Sequence, residues 1–112
     1  MKMMMFSLFR PSKKVHLYSI IWNEEYLLPY FFNYYDNVVD RYVLYDDGST
    51  DSTQEILKEH PHVEVRKFPR NIGDSYVLSA KELHDNAWKE SRNICDWVIW
   101  TAVDEFLVPL RN

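Results

Sequence analysis

Apolar and amphipathic stretches alternate along most of this chain. Four stretches are rich in β-branched and aromatic residues, a composition typical of strands. They cover residues 15–22, 41–45, 63–68 and 96–103. The stretches between them carry apolar residues at helical spacing, which predicts helices. These cover residues 23–37, 51–60 and 75–91. Because strands that alternate with helices are joined by right-handed crossovers, the pattern predicts a three-layer α/β/α sandwich with a mainly parallel sheet.

The start of the first helix offers two interpretations. Glu24 and Glu25 are favourable first-turn residues, so the helix can begin at once after Asn23. Pro29 is then tolerated early in the helix, or it starts the regular helix itself, because proline has no backbone N–H to contribute.

The polar stretch at residues 46–53 (DDGSTDST) lies where the second strand becomes the second helix. Helix capping explains part of it: Gly48 permits an unusual backbone angle and Ser49 or Thr50 caps the helix. Capping boxes are available to the pairs Asp51/Gln54 and Ser52/Glu55. Capping does not explain the adjacent acids Asp46 and Asp47, whose charges repel each other unless a donor-rich ligand or a metal ion is near. Both interpretations remain open.

Three polar clusters fall at the predicted carboxyl ends of strands, at residues 23–25, 46–49 and 104–105. In open parallel sheets, ligands bind beyond this edge. A calcium-binding EF-hand does not fit, because its sixth position would be Ser52 instead of glycine and its twelfth Lys58 instead of glutamate. The sequence therefore predicts a ligand site at this edge that is not an EF-hand.

Composition and charge narrow the class of protein. The chain has 112 residues, of which 46% are hydrophobic, which suits one folded domain or a piece of one. The net charge is −4 and the basic residues form no stripe, so nucleic-acid binding is disfavoured. Cys95 is the sole cysteine, which fits a reducing compartment. We predict a cytoplasmic protein.

The first residues form a short basic and apolar leader. Residues 1–14 are predicted to be poorly ordered, and residues 15–112 to form the folded domain. The apolar part is shorter than a signal peptide requires and lacks a cleavage site of small residues. It allows weak contact with the cytosolic face of a membrane.

Four motifs in order carry a family resemblance, and they lie at residues 23–25 (NEE), 46–53 (DDGSTDST), 71–73 (NIG) and 103–107 (VDEFL). Together they resemble family 2 glycosyltransferases of the GT-A fold, in the branch whose metal motif reads Asp-x-Asp-Glu-Phe. The resemblance extends over about residues 15–108. It implies a Rossmann-like nucleotide-diphospho-sugar transferase fold, of which this chain would be a truncated, N-terminal half.

The resemblance implies an inverting transfer of a sugar from a nucleotide-diphosphate sugar, with a UDP-sugar favoured, to a glycan or another hydroxyl acceptor. Asn23 and Glu24 would lie beside the base and ribose. One carboxylate of the Asp46/Asp47 pair, with a slight preference for Asp47, would accept the imide N–H of the base. The implied nucleotide-binding residues are Asn23, Glu24, Asp46, Asp47, Ser49, Asn71 and Gly73.

Asp104 matches the last acid of the metal motif and would bind Mn²⁺ or Mg²⁺ on the diphosphate. Glu105 would orient the water shell of the metal or contact the donor sugar, or it is a plain surface acid. The first acid of the motif is replaced by Ala102, so metal affinity should suffer and the chain alone could be inactive. The catalytic base that the family uses would lie beyond Asn112.

Two other functions remain alternatives. A sugar-phosphate nucleotidyltransferase has a similar sandwich, but the acids at residues 23–25 would repel its triphosphate substrate. A degenerate binding module without catalytic activity is suggested by Ala102 and by the absent base. For His84 and Trp100, ordinary surface or packing roles are expected.

Overall fold

The computed structural model describes residues 13–108, which form one parallel sheet covered by helices on both faces. The four strands are β1 (Val15–Ile21), β2 (Arg41–Asp46), β3 (Val63–Lys67) and β4 (Trp97–Trp100). Their order in the sheet is β3-β2-β1-β4, and each neighbouring pair is parallel. The helices are α1 (Leu28–Tyr35), α2 (Thr53–Glu59) and α3 (Tyr76–Asn86), and α3 runs on into a 3₁₀ helix at Ala87–Ser91. The predicted α/β architecture is confirmed.

The sheet separates two apolar cores, because successive residues of a strand point to opposite faces. On one face, Leu17 and Leu44 pack with Phe31 of α1 and Leu57 of α2. On the other, Tyr18, Val43 and Tyr45 form a second cluster against α3 and the 3₁₀ helix. This double burial explains why β1 and β2 are apolar at nearly every position.

Several element boundaries differ from the prediction. Helix α1 begins at Leu28, so Glu24 and Glu25 lie in a preceding turn and Pro29 falls within the first turn. Strand β4 ends at Trp100, three residues early. After Thr101 the chain leaves β1, and the Ala102 N–H bonds the Glu105 side chain instead of a strand. The predicted helix at 75–91 is also two elements, since its last five residues are 3₁₀.

The predicted leader, residues 1–14, lies mostly outside the described residues, which begin at residue 13. Its last residue, Lys14, donates its backbone N–H to Asp96 Oδ2 at 2.8 Å. Within residues 13–108, none of the helices combines the length and the apolar character needed to cross a bilayer. The cytoplasmic location and the weak membrane contact stay predictions.

A buried polar network joins β1 to the 3₁₀ helix. His16 Nδ1 lies 2.7 Å from Ser91 Oγ, which also bonds the Tyr18 hydroxyl. Burial, followed by the positive charge of Arg41, lowers the pKa of His16 below its ordinary 6.5. The charge of Lys14 also lowers this pKa, while the charges of Asp40 and Glu90 raise it. The folded protein therefore favours neutral His16.

We expect the free energy of unfolding to decrease as the pH falls below about 6.5. The unfolded chain takes up a proton on His16 there, whereas the folded chain resists it, so acid favours unfolding until the lower folded pKa is passed. Urea unfolding at pH 7.5 and 5.5 measures this. His16→Gln should reduce the pH dependence, and the exposed His62→Gln should retain it. Equal pH dependence in the wild type and His16→Gln would contradict the assignment.

Candidate functional site

The site lies at the carboxyl edge of the sheet. Because β1 stands between β2 and β4, the strand order reverses at β1, and ligands bind at such switch points. The registers place Ile21 beside Asp46 and Asp46 beside Lys67. The loops that follow the four strands therefore open on one edge, as the sequence predicted.

The loops after β1 and β2 are tied together by Asn23. Its Oδ1 accepts the Thr50 backbone N–H at 2.7 Å, and its own backbone N–H donates to Ser49 Oγ at 2.9 Å. Asn23 has a positive φ of 48°, which asparagine tolerates better than most residues. The side-chain amide of Asn23 therefore holds the two loops together through hydrogen bonds within the protein.

Hydroxyl groups within residues 49–53 also join the loop after β2 to the loop after β1. The Thr53 hydroxyl accepts the Glu24 N–H at 2.8 Å, and Asp51 accepts the Thr53 N–H at 2.9 Å. Ser52 is the N-cap of α2, without a side-chain capping bond. The predicted caps by Ser49 or Thr50 are therefore wrong. The hydroxyl oxygens of both residues accept hydrogen bonds from Asn23, in the loop after β1.

Asp46 and Asp47 have different surroundings. Asp46 is 5% exposed, and its carboxylate accepts the Ser49 N–H at 3.1 Å and the Gln54 side-chain amide at 2.8 Å. Asp47 instead forms a two-point ion pair with Arg70, with 2.7 Å between Nη2 and Oδ2 and 3.1 Å between Nε and Oδ1. Separate donors thus relieve the repulsion between the adjacent acids. Asp46 holds the turn, and Asp47 faces a cation at the surface.

A cleft of about 590 Å³ opens around the Asp47–Arg70 pair, within the size range of small-molecule sites. Its lining includes Asp46, Asp47, Phe68, Arg70, Asn71 and Asp74. The Arg70 guanidinium lies 5.9 Å from the Phe68 ring centroid and 5.5 Å from that of Tyr76, so aromatic faces hold it in place. We call this cleft the Asp47 cleft.

Arg70 was missed in the sequence interpretation. The available signal was its position as the one cation within the loop at residues 69–73, directly after β3. Of the two predicted residues in this loop, Asn71 lines the Asp47 cleft. Gly73 has a positive φ of 55°, and a Cβ there would meet nothing within 4 Å, so the backbone angle is what favours glycine.

Glu24 and Asp104 lie in the loops that follow β1 and β4, near enough for their charges to interact. Burial raises the pKa of Glu24, and the charges of Asp104 and Asp51 raise it further. Glu24 Oε2 is buried and has no hydrogen-bond partner among the described residues. Across residues 13–108, no three acidic, histidine or cysteine side chains cluster as a ready metal centre. Two carboxylates from distant segments therefore share one electrostatic environment.

Comparison with known families adds an independent finding. A model of the family described as glycosyl transferase family 2 matches residues 20–80, more than half of the chain. The chain belongs to glycosyltransferase family 2. No curated protein matches it.

In this glycosyltransferase, the matched region runs from the end of β1 into α3. It contains Asn23, the Asp47–Arg70 pair and Asn71, and it stops before β4 and Asp104. The family match therefore covers the side of the site built by β1, β2 and β3. Members of the family commonly use a divalent metal ion.

Proposed function

We propose that this glycosyltransferase binds a nucleotide-diphosphate sugar, with UDP as the favoured nucleotide, and transfers the sugar with inversion to a hydroxyl of a glycan. The observation that carries the proposal is the Asp47–Arg70 pair, presented at a cleft beyond the carboxyl ends of β2 and β3. Family membership supports the reaction class.

The pair suits the edge of a uracil base. Uracil has an imide N–H between two carbonyl oxygens, so it needs an acceptor with a donor beside it. The Asp47 carboxylate accepts only, and the Arg70 guanidinium donates only. Both partners are charged, which makes such hydrogen bonds roughly twice as strong as neutral ones. The side chain of Asp47 is 16% exposed, so solvent competes weakly for it.

Asp104 and Glu24 are the residues that would hold Mn²⁺ or Mg²⁺. The buried Glu24 Oε2 has no hydrogen-bond partner within residues 13–108, and a cation would relieve its repulsion with Asp104. Mg²⁺ is commonly held by one or two carboxylates plus substrate phosphates and waters, so Ala102 does not exclude binding. When bound, the ion supplies charge stabilisation to the leaving diphosphate.

Isothermal titration of the 112-residue chain with UDP tests the donor site and its metal together. We expect Mn²⁺ to tighten UDP binding by about tenfold, because one charge-assisted contact contributes about 1.5 kcal/mol or more. Asp104→Asn should abolish this gain, since the amide carries no charge. The exposed acid Glu59 of α2 provides the control, and Glu59→Gln should keep the gain.

Two results would contradict the proposal. The chain could bind none of UDP, GDP and dTDP, which would remove the nucleotide site. Alternatively, Mn²⁺ could tighten UDP binding equally in the wild type and in Asp104→Asn. That result would show that Asp104 is not part of the metal site.

A further inference from the structure

Strand β3 forms one edge of the sheet. Among residues 13–108, β2 is the only strand that pairs with it. The Tyr42 N–H donates to the His62 oxygen, and the Phe68 N–H donates to the Asp46 oxygen, both at 2.9 Å. Because a parallel ladder uses alternate residues of a strand, the even-numbered backbone groups of β3 face β2. The residues whose backbone groups face away from the sheet are Val63, Val65 and Lys67.

The free edge of β3 is short and bounded. The strand has five residues, and prolines stand at positions 61 and 69, two residues beyond each end. Proline has no N–H to give to a further ladder. The Val63 N–H already donates to the His60 oxygen at 3.4 Å. A new strand can therefore pair with β3 over residues 63–67 and not further.

Glu64 and Arg66 place opposite charges along this edge. Both side chains lie on the face that carries the 3₁₀ helix, where Arg66 contacts Glu64 Oε2 and Glu90 Oε1, each at 2.6 Å. The Glu64 side chain is 45% exposed and that of Arg66 is 30% exposed. Both charges therefore remain accessible to a strand that is added to the edge.

A second copy of the chain fits the edge of β3 in one register. If two β3 strands lie antiparallel around a two-fold axis at Val65, the outward-facing residues meet. Val65 then opposes the second copy's Val65, and Val63 opposes the second copy's Lys67. Between them, Glu64 of each copy opposes Arg66 of the other, at the positions of an antiparallel ladder where side chains come closest. Opposite charges that face each other in this way stabilise a strand pair.

The same two charges disfavour the neighbouring registers. An axis at Glu64 would place Glu64 opposite its own copy, and an axis at Arg66 would do the same for Arg66. Like charges directly opposite each other destabilise a strand pair. The two-fold arrangement also closes after two copies, whereas a head-to-tail contact can continue into a filament. The charges of the edge therefore select one closed pairing.

We propose that two copies of this chain associate through their β3 edges, with the two-fold axis at Val65. The four strands of each copy then form one continuous sheet of eight strands. Because the two β3 strands are antiparallel, the carboxyl edges of the two copies point in opposite directions. Each Asp47 cleft, whose lining includes Lys67 and Pro69, then borders the start of the other copy's β3.

Sedimentation velocity of the 112-residue chain, from about 1 to 200 µM, measures this association. We expect a dimer with a dissociation constant of roughly 10 µM, because an interface of one short strand pair is small. Glu64→Arg and Arg66→Glu should each weaken self-association at least about tenfold, since each replaces two attractive pairs by two repulsive ones. An equimolar mixture of the two variants should form a dimer again, because their charges complement each other across the edge.

Amide hydrogen exchange locates the interface. Glu64→Arg, labelled with ¹⁵N, is measured alone and with an excess of unlabelled Arg66→Glu. The Val65 and Lys67 N–H groups should exchange more slowly in the mixture, because the second copy bonds them. The Arg66 N–H faces β2 in both samples, so its exchange should stay unchanged. The surface ion pairs that the substitutions break contribute little to stability, so both variants should fold.

Glu82→Arg provides the matched control, because it makes the same change of charge at an exposed residue of α3. It should dimerise as the wild type does. A wild type that stays monomeric over the whole concentration range would overturn the proposal. A mixture of the two folded variants that stays monomeric would also overturn it. The same holds for a dimer in which the exchange of the Val65 and Lys67 N–H groups does not slow.

Discussion

Asp47→Ala is expected to weaken UDP binding by roughly 10- to 100-fold. The substitution removes the charged acceptor for the base imide N–H, and a hydrogen bond to a charged group contributes about 1.5–3 kcal/mol. The Arg70 guanidinium would also lose the partner that orients it. Arg70 is exposed, so breaking the ion pair should alter stability by less than about 1 kcal/mol. Calorimetric titration with UDP, beside a thermal melt, separates the two effects.

Asp74→Ala is the matched control for this experiment. Asp74 lines the same cleft, but Arg70 bonds its backbone oxygen, which alanine retains. We expect its UDP affinity to stay within about threefold of the wild type, since the Arg70 contact to the backbone oxygen is retained and one charge of the cleft is lost. Equal UDP affinities of Asp47→Ala and the wild type would show that Asp47 does not bind the base. Equal losses in Asp47→Ala and Asp74→Ala would point to net charge instead.

Phe31→Ala is expected to lower the free energy of unfolding by about 3–5 kcal/mol, the usual cost of removing a buried phenylalanine ring. Phe31 is fully buried in α1. Its ring centroid lies 5.1 Å from that of Tyr35 and 5.8 Å from that of Tyr42, so the substitution leaves a cavity among large rings. Since small domains are stable by only about 5–15 kcal/mol, urea unfolding should show a large shift of the midpoint.

The neighbouring Tyr30 supplies the control for Phe31. It carries a ring on the same helix but is 68% exposed. Tyr30→Ala should change the free energy of unfolding by no more than about 0.5 kcal/mol. Similar losses for the two variants would mean that α1 does not bury the face described here.

The fold could be predicted because its signals are local. Strands β1 and β2 are buried on both faces, so each is a mostly apolar run in the sequence. The alternation of such runs with helices is sufficient to predict a parallel sheet. The ends of the elements were less predictable. The end of β4 depends on where Ala102 finds its hydrogen-bond partner, and that partner is a side chain of the following loop.

The helix caps show why local rules failed at the site. The hydroxyls of Ser49 and Thr53 match capping patterns, yet they accept hydrogen bonds from the backbone N–H groups of Asn23 and Glu24. These donors are more than 25 residues away in the sequence, and a capping rule considers only the nearest few residues. The pairing of β1 with β2 brings the two loops together.

By itself, the sequence determined that acidic and amide side chains would gather at one edge of a parallel sheet, because the carboxyl ends of parallel strands meet there. It also supplied the motifs of the family that the comparison then identified. Only the tertiary structure decided between the two adjacent acids. Gln54 and the turn at Ser49 engage Asp46, whereas Arg70, 23 residues further along, pairs with Asp47. Which donor reaches which carboxylate depends on contacts between distant segments, and a linear pattern does not encode those distances.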